Sequence, residues 1–132
     1  MFNILTNLAT HGIGNPGIIE RYVNCEIGFI DDFRIIDVRT LIDGENVPSE
    51  YLLNIVRVTS YLELGEKVVI CCRVGASRSN AIAVGVLVRY FKMDFYKAME
   101  LVISKVPICN ILQPHSMALQ KLFKCSIGYQ NR

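Results

Sequence analysis

The chain has 132 residues, of which 52 % are apolar, and a formal net charge of +2. That length fits a single domain over residues 1–132, with one sizeable core that needs no covalent staples. The longest apolar run, Ala81 to Val88, falls far short of the ~20 residues that span a bilayer, and Met1 to Thr10 lacks the basic start of a signal peptide, so no membrane association is expected.

The first segment, Thr10-His-Gly-Ile-Gly-Asn-Pro-Gly, reads as a glycine-rich loop, and His11 as a surface-loop residue. Gly12-x-Gly14 is not a dinucleotide fingerprint, because no strand-loop-helix frame with a spaced third glycine follows it. Phe33 to Val38 reads as a buried strand. Val47-Pro-Ser-Glu opens an amphipathic helix that runs to Leu64 and is ended by Gly65 as the C′ residue. Lys67 to Cys71, rich in β-branched residues, is a second strand. Ser77 to Phe91 is apolar and of helix length, and Asp94 caps a further helix to about Val106. Pro107 and Pro114 punctuate the chain. Pro114 to Lys124 reads as the last helix, with His115 at its start.

Strand, helix, strand and then three helices predict an α/β fold: a small central, mainly parallel sheet flanked by helices. Ligands of such sheets sit beyond the carboxyl ends of the strands. Two loops end there, Arg39 to Asn46 after the first strand and Cys72 to Ser77 after the second. They are expected to meet in space.

Five cysteines, at 25, 71, 72, 109 and 125, are an odd number, and no pair has CxxC spacing. Neither a zinc site nor a disulfide framework is indicated, and a reducing, cytoplasmic compartment is expected. Cys25, Cys109 and Cys125 read as small buried hydrophobes. Charge is unevenly spread. Ten acidic and five basic residues precede position 71, and two acidic and nine basic residues follow from it. The basic half suits an anionic substrate.

Within that half, Cys72-Arg73-Val74-Gly75-Ala76-Ser77-Arg78-Ser79 has the form C-x5-R-S between a strand and a helix. A free thiol titrates near ~8.5, and only the thiolate is a good nucleophile. A helix N-terminus favours that negative charge. Five intervening residues, Arg73, Val74, Gly75, Ala76 and Ser77, form a loop short enough for its amides to converge on one anion. Gly75 lets the backbone turn without a Cβ. Arg78 offers a planar fork that grips two phosphoryl oxygens, which lysine does not. The Ser79 hydroxyl can donate to the sulfur as it leaves.

At these residues the chain resembles the dual-specificity branch of the protein tyrosine phosphatase superfamily, whose signature is H-C-x-x-G-x-x-R-S. The resemblance extends through Ala81 to Phe91, Met93, Ala98 and Pro114 to Leu122, covering residues 33 to 124. One departure is plain: the histidine that precedes the nucleophile in the family is Cys71 here. In the family that histidine organises the loop and holds the thiolate. Low-molecular-weight phosphatases share C-x5-R but carry it near the N-terminus, whereas here it lies mid-chain.

Phosphoester cleavage also needs an acid for the leaving oxygen. The candidates are Asp37, within the first strand, and Asp43, in Leu41-Ile-Asp-Gly-Glu-Asn-Val-Pro. Asp43 is preferred. The family places its acid in such a loop, about 30 residues before the nucleophile and shortly before a proline-started helix, and Asp43 precedes Cys72 by 29 positions. The resemblance implies a phosphomonoester hydrolase with Cys72 as nucleophile, Arg78 and the amides of residues 73 to 78 as phosphate cradle, Asp43 as acid and Ser79 as helper. It implies no cofactor and no metal. Its partner would be a phosphorylated protein, foremost at phosphotyrosine, with phosphoserine or phosphothreonine also open. Arg73 and Ala76 give the loop one positive charge and little bulk, whereas relatives that act on inositol phosphates tend to carry more basic residues there. An RNA 5′-triphosphatase and a pseudophosphatase that binds phosphopeptides remain as alternatives, although nucleic acid is not the expected partner.

Overall fold

A computed structural model of the chain describes residues 1–13, 28–39, 41 and 48–123. Two strands, β4 (Phe33–Asp37) and β5 (Lys67–Cys72), stand where the β-branched runs predict them. They pair in parallel, with Ile36 opposite Ile70 and Asp37 opposite Cys71. Helix α1 (Pro48–Glu63) makes the crossover between them. It starts on its proline and stops before Gly65, whose φ of 82° is the left-handed C′ conformation that glycine adopts without strain.

Three strands were not legible in the sequence. β1 (Phe2–Leu5) and β2 (Leu8–Gly12) form an antiparallel hairpin, and β3 (Phe29–Ile30) pairs with β4 across Asp31-Asp32. Strand order is β1-β2-β5-β4-β3. The three central strands are parallel, as expected, and each edge strand adds an antiparallel pair. β2 lies alongside β5, with His11 opposite Cys71 and Gly12 opposite Cys72. His11 is thus a strand residue and not the surface-loop residue expected, and burial holds its imidazole below the usual value.

Three further helices follow: α2 (Arg78–Arg89), α3 (Phe95–Lys105) and α4 (Gln113–Leu122). The Asp94 carboxylate caps α3 by accepting from the amides of Tyr96 and Lys97 at 3.1 and 3.2 Å. α2 is buried along nearly its whole length, from Ser79 to Leu87, and packs against β2, β5 and all three other helices. That explains an apolar pattern without a polar face. Gly85 lets α1 come close, since a Cβ there would lie 2.2 Å from Ile55 Cδ1. At the other end of that packing, Tyr51 of α1 hydrogen-bonds through its hydroxyl to Nδ1 of His115 in α4, with both side chains buried.

Successive residues of β5 face opposite sides of the sheet. Val68, Ile70 and Cys72 join the main core with residues of all four helices, whereas Val69 and Cys71 join a second cluster with Ala9, Ile13, Ile30 and Phe33. No described helix is long and apolar enough to cross a membrane.

Candidate active site

The carboxyl ends of β2, β5 and β4 converge. Ile13 N–H donates to Cys72 O at 2.9 Å, and Val38 N–H donates to Cys71 O at 2.8 Å, so the end of β5 is held from both sides. The chain then turns through residues 73–77 into α2. Gly75 takes a φ of 84°, and its N–H donates to Cys72 Sγ at 3.3 Å. Ser79, in the first turn of α2, places its hydroxyl 3.2 Å from the same sulfur. Cys72 is only 2 % exposed, so its sulfur lies at the floor of the loop.

Ser77 occupies the N-cap position of α2, but its side chain caps no amide of that helix. Its hydroxyl accepts from Leu112 N–H at 3.0 Å instead. Asn110 N–H donates to Ala76 O at 2.7 Å. Residues 110–112 therefore form a wall bonded to the loop. Together with residues 72–74 and 76–78, Asn110 and Leu112 line a cleft of about 190 Å³. Arg73 and Val74 are exposed on its rim. Two larger clefts, of about 600 and 660 Å³, lie beside Arg89 and beside the β1–β2 turn. Neither is lined by a cysteine, so chemistry and not volume selects the smaller one. Among the described residues no three His, Cys, Asp or Glu side chains gather as a metal site.

The two loops meet. Arg78 Nη1 donates to Arg39 O at 2.9 Å and to Leu41 O at 3.0 Å. Asp43 lies outside the described residues. Asp37 is turned to another task, with its carboxylate accepting from Arg39 N, Nε and Nη2 at 2.8 to 3.1 Å. Burial works to raise its carboxyl, but the bonds and charge of Arg39, with the charge of Arg57, outweigh it and hold Asp37 below the ordinary carboxylate range. Asp37 thus stays ionised at neutral pH and has no proton to give.

Cys71 is fully buried on the opposite face from Cys72. Burial, aided by the charges of Asp37 and Cys72, pushes its thiol up to about 12. Cys109 is half-buried against the main core, less enclosed than expected. Cys25 and Cys125 lie outside the described residues.

The sequence missed three residues that support the loop from behind, Thr10, Gly12 and Asn80. A Cβ on Gly12 would meet Val74 O at 2.2 Å, and one on Gly75 would meet Gly12 N at 2.6 Å. The Asn80 side chain donates to Gly75 O and Ala76 O, and it accepts from Thr10 Oγ1. One signal was available: Asn80 is an uncharged polar residue directly before the apolar run Ala81 to Val88.

No protein-family model matches this chain, and no curated protein matches it in sequence. Solved structures do match in shape. Human DUSP28 superposes with a TM-score of 0.75 at 16 % identity, covering 95 % of this chain and 96 % of its own. A mouse putative dual specificity phosphatase, complexed with zinc tungstate, gives 0.76 at 14 % identity over 94 % and 86 %. The human tyrosine phosphatase-like serine/threonine/tyrosine-interacting protein gives 0.64 at 19 % identity over 95 % and 96 %. The five-stranded sheet with its helices is thus the α/β fold of the dual-specificity phosphatases, in agreement with the resemblance carried by the C-x5-R-S loop.

Proposed function

We propose that this chain hydrolyses phosphomonoesters through Cys72, with phosphotyrosine in proteins as the leading substrate and phosphoserine and phosphothreonine as further ones. One observation carries the reading. The Cys72 sulfur sits at the floor of a loop ahead of a helix N-terminus, with a hydroxyl at 3.2 Å and an amide at 3.3 Å.

The Cys72 thiolate attacks phosphorus in line. The S–P bond forms as the P–O bond to the leaving oxygen breaks, and Asp43 gives that oxygen its proton. Asp43, now a carboxylate, takes a proton from water as the water attacks the phosphocysteine. The S–P bond breaks, and sulfur leaves as thiolate with the Ser79 hydroxyl donating to it. The loop amides and the Arg78 guanidinium carry the charge on the equatorial oxygens. Asp43 is favoured over Asp37 because Leu41, two residues before it, is bonded to Arg78, whereas Asp37 is engaged by Arg39. The rim carries one arginine, Arg73, beside the apolar Val74 and Leu112, which suits a phosphorylated aromatic side chain better than a polyphosphate.

A phosphopeptide-binding module with weak turnover is the second reading. It draws on position 71, where a thiol on the far face of the sheet stands in place of the family's histidine. Phosphate release from p-nitrophenyl phosphate, by the wild type and by Cys72→Ser, separates the two. Turnover lost in the variant supports the hydrolase, and binding without turnover in the wild type supports the module. A panel of phosphopeptides, phosphoinositides and 5′-triphosphate RNA then tests the substrate class.

A further inference from the structure

We infer that Asn80, held by Thr10, is a positioning residue that aims the loop amides at the bound oxyanion. This rests on the phosphatase reading and adds to it a device outside the C-x5-R-S motif. Asn80 and Thr10 lie 70 residues apart in sequence and are both fully buried.

The Asn80 side-chain nitrogen donates to Gly75 O at 2.8 Å and to Ala76 O at 3.1 Å. Carbonyl oxygens only accept, so the amide orientation is settled: nitrogen faces the loop and Oδ1 faces Thr10. Thr10 Oγ1 donates to that Oδ1 at 2.8 Å. In a trans peptide unit the C=O and N–H point opposite ways. Gly75 O shares its peptide unit with Ala76 N–H, and Ala76 O shares its unit with Ser77 N–H. Tying both carbonyls to Asn80, behind the loop, turns both N–H groups toward the cleft. The backstop is β2, whose Gly12 packs directly on the 74–75 peptide. Ala76 O also accepts from Asn110 N–H at 2.7 Å, so the Gly75–Ala76 unit depends most on this brace: without it that unit can rotate and offer a carbonyl to the anion, where it repels.

The test compares Asn80→Ala, Thr10→Val and Thr10→Ser with the wild type. It measures orthovanadate affinity by calorimetry, kcat and KM on p-nitrophenyl phosphate, and thermal unfolding by circular dichroism. Losing the amide that aims the Ala76 N–H, and shares with Asn110 the hold on the next unit, should lower kcat of Asn80→Ala by about 10²-fold, with a smaller change in KM and weaker vanadate binding. Thr10→Val keeps the shape but not the donor, and should weaken vanadate by about 2- to 10-fold. Thr10→Ser restores the donor and should return to within twofold of the wild type. Should Asn80→Ala fail to fold, Thr10→Val decides. Vanadate affinity and kcat within twofold of the wild type in folded Asn80→Ala and Thr10→Val overturn the inference alone. A wild type that neither turns over nor binds vanadate overturns the phosphatase reading and this inference with it.

Discussion

Under the proposed hydrolysis Cys72 and Arg78 act at the same cleft by different means, and their variants should part accordingly. Cys72→Ser should abolish turnover yet keep oxyanion binding, because the cradle is backbone and guanidinium and not sulfur. Multiple turnover by the serine variant, followed as released phosphate, would contradict attack by Cys72. Arg78→Lys should lose both rate and binding. A point charge cannot grip two oxygens in a fork. Asp43→Asn should lower kcat by ~10²–10⁴ on a poor leaving group and less on an activated phenol, whereas Asp37→Asn should leave kcat near the wild type. A leaving-group series on both variants checks the assignment, and exchanged behaviour would move the acid to Asp37. At this scale the sequence was most informative within one loop, where Cys72, Gly75, Arg78 and Ser79 lie close together in the chain. It assigned no role to Thr10, and Asn80 showed only as a polar residue near the head of α2, since neither side chain's task is readable until its partner 70 residues away is known.

Elements with a strong period of their own were legible: β4, β5 and the four helices stand within a few residues of their predicted bounds. The edge strands were not. β1 and β3 have only 4 and 2 residues. β2 is flanked on both sides by strands, so Leu8, Ala9 and Thr10 are all buried and no alternation marks them. Yet β2 supports the candidate site, because Gly12 takes the place of a side chain against the loop. Gly12→Ala would force a Cβ to within 2.2 Å of Val74 O, and backbone cannot yield as a flexible side chain does. The expected result is a fall in kcat/KM of ~10²-fold, the scale on which a displacement of about 1 Å is felt in catalysis. Steady-state kinetics at a temperature well below unfolding reads it. Wild-type kinetics in the alanine variant would show that the loop does not depend on β2.

Over the whole molecule, two groups near the candidate site tie stability to pH at opposite ends of the scale. Asp37 is held below the ordinary carboxylate range by Arg39 and Arg57, against the pull of burial. Its contribution is fully present above the unfolded value of ~3.9 and is lost as pH falls through its folded value. Asp37→Asn should therefore flatten the acid limb of the stability curve below pH ~4. Cys71, raised to about 12 by burial, works the other way. Its buried neutral thiol costs nothing below ~8.5, and stability drains away as pH climbs beyond that value toward 12. Cys71→Val should lessen the alkaline loss. Urea unfolding from pH 3 to pH 11 tests both, and parallel curves for variant and wild type would remove either group from the account. Native iodoacetamide labelling should spare Cys71 for the same reason.

By itself the sequence determined what is local: which runs form β4, β5 and the four helices, and which loop carries a cysteine, a glycine turn and an arginine at the spacing the proposed chemistry needs. Those features are encoded by residues within one or two turns of each other, so periodicity and spacing suffice to read them. Strand alternation likewise turns Cys71 away from Cys72, and Asp37 has its partner Arg39 only two residues on. The tertiary structure alone decided that the carbonyls of Arg39 and Leu41 hold Arg78, and that β2, through Thr10 and Gly12, and Asn80 brace the loop. The Arg78 contacts span 39 and 37 residues and the Thr10–Asn80 bond spans 70, so each of these devices depends on distant parts of the chain. Its free energy exists only once the sheet brings the partners within hydrogen-bond or van der Waals reach, so no local pattern records it.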